Sequence, residues 1–248
     1  MILPQHIAII CDGNRRWAKA KHLPEFSGHK YAVETTTENL VDHCLKLNIP
    51  YLTLWFFSTE NWSRGQAWVA KYFNLFRQLI PKATDKYIKK GVRLNTIGDL
   101  TKLPQDVQKF LKNWEDKSKT NHKTTLTIAF NYGGRDEILR AVNSCLQGLR
   151  GDSSQVKQGP FLKQSFEAGP YRKILEKDFE KFLDTHDLPD PDLLIRTAPN
   201  NHRLSGFMLW QIAYTQLYFT DTLFPDFTPQ ELDKAISWYQ TQTQNLGK

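Results

Sequence analysis

The stretch HIAIICDGNRRW, residues 6–17, passes from an apolar run through a polar turn to a pair of arginines. Ile7 to Cys11 is a short apolar run of the kind that forms a buried strand. Asp12-Gly13-Asn14 is a turn cluster, and Arg15 and Arg16 come directly after it. This stretch therefore predicts a strand that delivers a carboxylate, an amide and two arginines to its carboxyl end.

Strand-like and helix-like segments alternate outward from this stretch. Short apolar runs predict strands at residues 7–11, 51–57, 92–97, 124–130, 193–196 and 214–219. Helical spacing of apolar residues, with Pro and Gly at several segment ends, predicts helices at 28–48, 68–90, 104–119, 136–149, 179–183 and 229–244. This order predicts an α/β fold with a mostly parallel central sheet of about six strands, covered by helices on both faces.

Length and composition favour one globular domain spanning residues 1–248. The residues are 40% hydrophobic and 24% charged, which excludes a wholly disordered, collagenous or coiled-coil chain. The polar stretch 151–169, rich in Ser, Gln and Gly, predicts a mobile surface loop within that domain. We expect no membrane-spanning helix and no signal peptide. Three widely spaced cysteines without a CxxC pair indicate a reducing cytoplasm.

A net charge of +7 points to an anionic partner, although an ordinary basic surface has the same composition. The arginines favour a phosphorylated substrate over nucleic acid or a membrane surface, because they follow successive predicted strands. Ligands bind beyond the carboxyl ends of strands in open parallel sheets, and arginine forks bind phosphate oxygens. Asp12 beside such a cluster is suited to hold Mg²⁺ on a phosphate. We expect a diphosphate site with a metal, formed by residues 12–17, 58–64, 131–135 and 196–205.

Each of these residues also has an ordinary structural interpretation. An isolated arginine is more often a solvated surface residue, Asp12 is equally a turn or helix-capping residue, and His29 can simply start a helix. Trp17 and Trp62 are more often core or pocket-wall residues than recognition elements. No GxxxxGK(S/T), GxGxxG, HExxH, GxSxG or DDxxD motif is present. Basic and aromatic residues are not interleaved as in single-strand nucleic-acid binders, so we expect no nucleic-acid partner.

Short segments in a fixed order carry a family resemblance. They are HIAIICDGNRRWA (6–18), GHK (28–30), FSTENWSR (57–64), IGD (97–99), NYGGR (131–135), PDLLIRT (191–197), RLSGFMLWQIAY (203–214) and LYFTD (217–221). Through them the chain resembles the cis-prenyltransferase family over residues 6–227; this family of Z-isoprenyl diphosphate synthases is typified by undecaprenyl diphosphate synthase. The resemblance implies Mg²⁺-dependent prenyl transfer, in which isopentenyl diphosphate condenses with an allylic diphosphate, usually farnesyl diphosphate, to give Z-polyprenyl diphosphate.

The resemblance also implies how substrate and protein are arranged. The growing chain would enter an apolar tunnel between the sheet and the helices, with the helix over residues 68–80 as a candidate wall. The family implies a cytoplasmic homodimer in which residues 196–205 lie near the partner's site. A lipid product would allow peripheral contact with a membrane.

Site roles follow from the resemblance, motif by motif. Asp12 would hold Mg²⁺ and assist ionisation, and Asn61 would lie near the proton that is lost, which makes these two the catalytic candidates. Residues 13–16 would cradle the allylic diphosphate, whereas Arg196, Arg203 and Ser205 would bind the diphosphate of isopentenyl diphosphate. The substrate-binding candidates are Gly13, Asn14, Arg15, Arg16, Trp17, His29, Ser58, Thr59, Glu60, Trp62, Arg64, Arg196, Arg203, Leu204 and Ser205.

Several positions depart from the family pattern. The family reads Arg-Thr-Gly/Ser-Gly-Glu before its His-Arg step, but residues 196–203 here read RTAPNNHR, one residue longer and without the glutamate. Gln216 stands where the family has a metal-binding glutamate, and His202 matches an auxiliary metal contact. Glu25 stands where the family has a phosphate-binding arginine. These departures leave two alternatives open: a specialised member with short-chain, irregular or cyclising terpene chemistry, or a catalytically weak partner subunit.

Overall fold

The centre of the molecule is a parallel sheet, seen in a computed structural model that describes residues 2–149 and 174–242. Its strands lie in the order β3-β4-β2-β1-β5-β6, and every neighbouring pair is parallel. The strands are β1 (His6–Ile10), β2 (Tyr51–Ser58), β3 (Val92–Ile97), β4 (Thr124–Tyr132), β5 (Leu193–Arg196) and β6 (Gln216–Phe219). The predicted α/β sheet of six strands is confirmed, and each strand lies where its apolar run predicted it.

Helices and short turns connect these strands. The helices are α1 (Asn14–Ala20), α2 (Ser27–Tyr31), α3 (Thr37–Leu47), α4 (Gln66–Lys89), α5 (Gln105–Ser118), α6 (Gly134–Leu149), α7 (Glu176–Phe179) and α8 (Pro229–Thr241). Short 3₁₀ segments lie at Thr59–Arg64, Leu100–Lys102, Glu180–Phe182 and Phe224–Asp226. Within the ranges that the structure describes, no helix is both long and apolar enough to cross a membrane.

The predicted helix at residues 28–48 is divided into α2, a π turn at Ala32–Thr36 and α3. Three consecutive threonines, residues 35–37, lower the helix propensity here because their branched side chains crowd the preceding turn. Thr37 Oγ1 donates to the Ala32 carbonyl at 2.8 Å, which satisfies a carbonyl in the widened turn. The predicted mobile loop at 151–169 lies outside the described residues.

Alternation along β1 separates two apolar layers. Ile7 and Ile9 pack into the larger core with α3, α4, α5 and α8. Ala8 and Ile10 pack on the opposite face with segment 207–212. All five residues of β1 are buried because neighbours cover both faces and both edges of the strand. Burial becomes incomplete directly after the carboxyl end of β1, at Cys11 and Asp12.

Two irregularities at the carboxyl end of the sheet shape what lies beyond it. Between Trp55 and Phe57 strand β2 carries one extra residue, Phe56, which has no partner on β4. One step later β4 carries the extra residue, Asn131, whose φ of 49° is in the left-handed region that asparagine tolerates. Such bulges turn side chains away from the regular alternation. The bulges place Phe56 and Asn131 at the end of the sheet where the predicted site residues follow the strands.

Candidate active site

A cleft of about 980 Å³ opens at the carboxyl ends of β1, β2 and β5. Its wall contains many of the residues that the sequence singled out, drawn from four separate segments of the chain. The predicted residues that line it are Asp12, Gly13, Asn14, Arg15, Arg16, His29, Ser58, Glu60, Asn61, Arg64, Arg196 and Ser205. The register explains their meeting, because Ile10 is paired with Trp55 on one side and with Arg196 on the other.

Asp12 is the carboxylate at the centre of this cleft. Its Oδ2 accepts hydrogen bonds from Arg196 Nη2 at 3.0 Å and from Asn201 Nδ2 at 2.6 Å. Its Oδ1 lies 3.3 Å from Arg16 Nη2. Burial opposes ionisation of Asp12, but the hydrogen bond from Arg196 and the charges of Arg16 and Arg196 outweigh it and lower its pKa. Asp12 is therefore a negatively charged side chain at neutral pH, enclosed by cationic and amide donors.

Arg196 is a buried arginine that joins both sides of the cleft. One terminal nitrogen, Nη2, bonds Asp12, while Nη1 donates to the Ser205 hydroxyl at 2.7 Å and to the Arg203 carbonyl. Its Nε is buried and has no hydrogen-bond partner among the described residues. A buried donor without a partner is costly, so Arg196 Nε is a point where the site is electrostatically incomplete.

The turn at residues 59–64 fixes Asn61 at the end of β2. Asn61 Oδ1 accepts the Ser58 backbone N–H at 2.9 Å, and the Ser58 side chain accepts from the backbone of Asn61 in return. This reciprocal pair commits the carbonyl oxygen of the Asn61 amide to the turn. Its Nδ2 makes no hydrogen bond within the described residues and is the part available to a ligand.

Residues beneath this turn explain why the IGD and NYGGR segments accompany it. Trp62 Nε1 donates to Asn131 Oδ1 at 2.7 Å, and Asn131 Nδ2 donates to the Asp99 carbonyl at 2.7 Å. A Cβ on Gly133 would lie 2.6 Å from Thr59 Oγ1, so only glycine allows that close approach. Trp62 and Thr59 thus contact the support of the turn and are not part of the cleft wall.

His29 lies on the α2 side of the cleft. A Cβ on the preceding Gly28 would lie 2.0 Å from the Asn14 carbonyl oxygen, so glycine allows α2 to pack directly on α1. Burial, and then the positive charges of Arg64 and Arg15, lower the pKa of His29 to about 4. Its Nδ1 is buried without a hydrogen-bond partner. His29 is therefore a neutral imidazole in the cleft wall, with one buried ring nitrogen that no described protein group satisfies.

The rim of the cleft carries a contact that sequence reasoning did not foresee. Glu25 Oε1 accepts from Arg15 Nε at 2.8 Å and from Trp68 Nε1 at 3.1 Å. The Arg64 guanidinium carbon lies 4.5 Å from the centroid of the Trp68 ring, in cation–π geometry. Glu25, Arg15, Arg64 and Trp68 form the group that we call the rim cluster.

Other predicted residues lie outside the cleft wall. Trp17 is buried, donates from Nε1 to Asp226 Oδ1 at 2.8 Å and stacks on Tyr31, which is a packing role. Leu204 packs against the smaller apolar layer. The Arg203 side chain is exposed, and only its carbonyl contacts the site. These placements match the packing interpretation of Trp17 and leave the role of Arg203 dependent on a bound ligand.

Gln216 and His202, the two positions that match metal contacts of the family, are also outside the cleft wall. The His202 ring packs on Phe219, with ring centroids 5.3 Å apart. Gln216 pairs with Leu193 at the amino end of β6, whereas Phe219 pairs with Arg196 at the carboxyl end. Gln216 therefore lies at the end of the sheet opposite to Asp12. Within one chain it cannot share a metal ion with that carboxylate.

Asn201 was missed as a site residue, although it lies in the segment that departs from the family pattern. The chain turns sharply before it, with φ of 83° at Ala198 and 60° at Asn200. Arg16 Nη1 donates to the Pro199 carbonyl at 3.1 Å and holds this turn over the cleft. The sequence signal was the extra residue in 196–203, but only the fold shows that it brings an amide to Asp12.

The side chains available as ligands determine which kind of metal site fits the cleft. No group of three His, Cys, Asp or Glu side chains that could hold a metal lies within residues 2–149 and 174–242. Magnesium, however, is commonly bound through one or two carboxylates together with water and substrate phosphates. The ionised Asp12 among the arginines of the cleft fits that mode, and it does not fit a metal held by protein ligands alone.

Comparison with known proteins identifies the family. The family model described as undecaprenyl diphosphate synthase matches residues 10–247. This chain belongs to the undecaprenyl diphosphate synthase family. The isoprenyl transferase of Aquifex aeolicus is 41% identical over 246 residues, which cover 99% of this chain and 96% of that protein. The isoprenyl transferase of Thermotoga maritima is 40% identical over 247 residues, with 100% and 98% covered.

A solved structure of a related enzyme shares the fold of this family member. Lavandulyl diphosphate synthase from Lavandula x intermedia, crystallised in complex with dimethylallyl diphosphate, matches with a TM-score of 0.86 at 30% identity over 99% of both chains. The resemblance stated from the sequence segments is thus confirmed. As an undecaprenyl diphosphate synthase family protein, the chain is a prenyltransferase, and its substrates are prenyl diphosphates.

Proposed function

We propose that this prenyltransferase condenses isopentenyl diphosphate with an allylic diphosphate, farnesyl diphosphate first among them, to give a Z-polyprenyl diphosphate. The observation that carries the proposal is the ionised Asp12, enclosed by Arg16, Arg196 and Asn201 in a cleft of about 980 Å³. Such a site suits a reaction in which diphosphate leaves with its bonding electrons. Preorganised charges stabilise the developing negative charge without reorganisation during the reaction.

The residues of the cleft would divide the work between two diphosphates. Arg16 and Arg64, with the backbone that follows Gly13, face the space where the allylic diphosphate would lie. Ser205 and Arg196 line the cleft as well, with the Ser205 hydroxyl bonded to Arg196 Nη1, and there the diphosphate of isopentenyl diphosphate would bind. Asp12 contacts both Arg16 and Arg196 and would hold Mg²⁺. When bound, Mg²⁺ neutralises charge on the departing diphosphate.

Asn61 would orient the substrate and would not act as a base. Its Oδ1 is committed to the Ser58 N–H, and the remaining Nδ2 can donate hydrogen bonds but cannot accept a proton. A hydrogen bond from Asn61 Nδ2 to a phosphate oxygen would hold isopentenyl diphosphate in place. The carbon that loses its proton would then lie near Asn61. His29, neutral because burial lowers its pKa to about 4, can accept a hydrogen bond at the same end of the cleft.

The hydrocarbon chain would extend between the sheet and α4. A cavity of about 20 Å³ lies there, lined among others by Ile80, Tyr87 and Trp114, and Phe56 belongs to the walls of both this cavity and the cleft. That volume holds little more than a water molecule. The proposed tunnel therefore requires Phe56 and the side chains of α4 to move when a prenyl chain enters.

The assembly proposal is a cytoplasmic homodimer that touches membranes only through its lipid product. Gln216 supports the dimer part, because its place at the amino end of β6 keeps it from Asp12 of its own chain. A second copy is the route by which residue 216 could reach a site. The exposed side chains of Tyr214 and Leu217 beside it are apolar surface that such a contact would cover.

A second candidate is short-chain or irregular terpene chemistry on the same scaffold. Two observations favour it: Gln216 offers no anionic ligand, and Asn201 Nδ2 occupies one of the two Asp12 oxygens, Oδ2. The similarity to lavandulyl diphosphate synthase also points that way. In this candidate Asp12 and the arginines still ionise an allylic diphosphate, and only the fate of the carbon skeleton differs.

The test is a product analysis with defined starters. The purified protein is incubated with radiolabelled isopentenyl diphosphate and with geranyl, farnesyl or geranylgeranyl diphosphate, in Mg²⁺ or in chelator. Mg²⁺-dependent products that grow in five-carbon steps support Z-polyprenyl synthesis. A single branched or cyclic product supports the second candidate. Intact diphosphate binding without turnover of any starter would instead favour a catalytically weak partner subunit.

A further inference from the structure

The rim cluster places a carboxylate against a cation of the diphosphate cleft. Glu25 precedes α2, Arg15 lies in the first turn of α1, and Trp68 lies in the first turn of α4. Glu25 Oε1 accepts from Arg15 Nε at 2.8 Å and from Trp68 Nε1 at 3.1 Å. One oxygen atom thus ties the start of α1 to the start of α4 across the mouth of the cleft.

The cations of the cleft are not equivalent in their partners. Arg16 and Arg196 both pair with Asp12 at the centre of the site. Arg64 lies over the Trp68 ring, and no carboxylate lies within ion-pair distance of it among the described residues. Arg15 instead pairs with Glu25, and this pair occupies the Arg15 guanidinium in the wall of the cleft.

The Arg15–Glu25 pair is open to competition. The Arg15 and Glu25 side chains are 59% and 42% exposed, and ion pairs with that exposure are weak because water screens them. A diphosphate that enters the cleft carries several negative charges and can compete for Arg15. It must then displace Glu25, which also repels it as a like charge.

We propose that Glu25 is a positioning residue that withholds Arg15 from the bound diphosphate and thereby weakens diphosphate binding at the rim. The inference rests on the proposed function only for the identity of the anion. Its consequence is an enzyme that releases diphosphate more readily than one with an unpaired arginine at this position. Trp68 takes part because its N–H fixes the glutamate oxygen that Arg15 contacts.

Binding of inorganic pyrophosphate to the full-length protein tests this directly. Isothermal titration without added metal compares the wild type with Glu25→Gln, Arg15→Gln and the double variant. Glutamine keeps the shape and an acceptor oxygen for Trp68 but removes the charge. We expect Glu25→Gln to tighten pyrophosphate binding by about two- to fivefold, the size of a partly exposed ion pair. The gain should shrink as salt is raised.

The double variant separates release of Arg15 from a general change of charge. With Arg15→Gln already present, Glu25→Gln should give no further gain. Asp106→Asn is the matched control. Asp106 on α5 forms a similarly exposed ion pair with Arg77 on α4, at 2.5 Å, and neither residue lines the cleft. The substitution should leave the affinity unchanged, and circular dichroism should show that all variants keep the wild-type fold.

Two results would overturn the inference: unchanged or weaker binding in Glu25→Gln, or a gain that persists without Arg15. Failure of the proposed function looks different. The protein would then turn over no prenyl diphosphate, while Glu25→Gln would still tighten inorganic pyrophosphate through Arg15.

Discussion

The cleft at the carboxyl ends of the strands and the apolar cavity beneath α4 share one wall, Phe56, yet they differ in every other respect. The cleft measures about 980 Å³ and contains Asp12 with several arginines. The cavity measures about 20 Å³ and is lined mainly by aliphatic and aromatic side chains. The two regions separate chemistry on one sheet: charged groups lie where the strands end, and apolar groups lie where α4 covers a sheet face, as the proposed amphipathic substrate requires.

Removal of the charge at Asp12 should have the largest effect on the rate of prenyl transfer, because it alters the centre of the cleft. Asp12→Asn keeps the size of the side chain but leaves Arg16 and Arg196 without their anionic partner. We expect the rate of prenyl transfer at saturating Mg²⁺ to fall by about 10²-fold or more, the loss typical of a preorganised charge. Initial rates of isopentenyl diphosphate incorporation measure it.

The matched control for Asp12→Asn is Asp42→Asn, which removes a surface carboxylate paired with Lys90 at 2.7 Å. Its rate should equal that of the wild type. An Asp12→Asn variant that kept more than a tenth of wild-type activity would show that the cleft does not act through this carboxylate.

The fold also makes acidification costly through two buried histidines, His6 at the amino end of β1 and His29 in the cleft wall. His6 is buried between the Pro189 carbonyl, which accepts from its Nδ1–H at 2.7 Å, and the Thr53 hydroxyl, which donates to its Nε2 at 2.7 Å. Burial lowers the pKa of His6 to about 4, and that of His29 is also about 4. Unfolded histidine titrates near 6.5, so the unfolded chain binds more protons between pH 6.5 and 4.

Stability should therefore be fully present above pH 6.5 and fall as the pH drops toward 4, by about 3 kcal/mol for each histidine. Urea unfolding at pH 7, 5.5 and 4.5 measures this loss. His6→Gln should lose less stability over the same range than the wild type. Identical pH profiles for the two proteins would contradict the assigned pKa of His6.

A smaller side chain at position 56 should join the cleft to the apolar cavity beneath α4. Phe56→Leu opens the shared wall while keeping an apolar residue at the bulge of β2. We expect products longer by one or more five-carbon units, or a preference for a longer starter, as read by mass spectrometry. Leu100→Ala, on the packed periphery of the core and outside both cavity walls, serves as the control. An unchanged product distribution would mean that the hydrocarbon does not pass Phe56.

The smallest effect is expected at Gln216. Gln216→Glu supplies a hard anionic oxygen, which Mg²⁺ prefers to an amide. If a second copy brings residue 216 to the cleft, the Mg²⁺ concentration at half-maximal activity should fall by a few-fold. Gln230→Glu, an exposed position on α8, is the control for the added charge. Unchanged or lower activity at limiting Mg²⁺ would show that the substitution at 216 does not explain metal binding.

Much of the fold could be predicted because it depends on local patterns. The β1 run is apolar on both faces, so it predicted a central strand, and the polar turn at Asp12 predicted where a ligand would meet the sheet. The π turn was missed because apolar periodicity does not register the insertion of one residue. The bulges at Phe56 and Asn131 were missed for the same reason.

Contacts between distant segments could not be predicted from the sequence. Trp17 and Trp62 satisfy their indole N–H groups with Asp226 and Asn131, and no local pattern identifies such partners. Glu25 was recognised as a charge reversal from the sequence. Its pairing with Arg15 depends on how the segment before α2 folds back against the start of α1. Gln216 was placed with the metal by resemblance, whereas the register of β6 puts it at the opposite end of the sheet.

A crystal structure with Mg²⁺ and a non-hydrolysable farnesyl diphosphate analogue would test the central claim most directly. We expect the diphosphate to lie beside Asp12, within hydrogen-bond distance of Arg16 and Arg64. We expect the hydrocarbon to extend past a displaced Phe56, between the sheet and α4. A diphosphate bound away from Asp12, or a prenyl chain lying outside α4 with Phe56 unmoved, would contradict it.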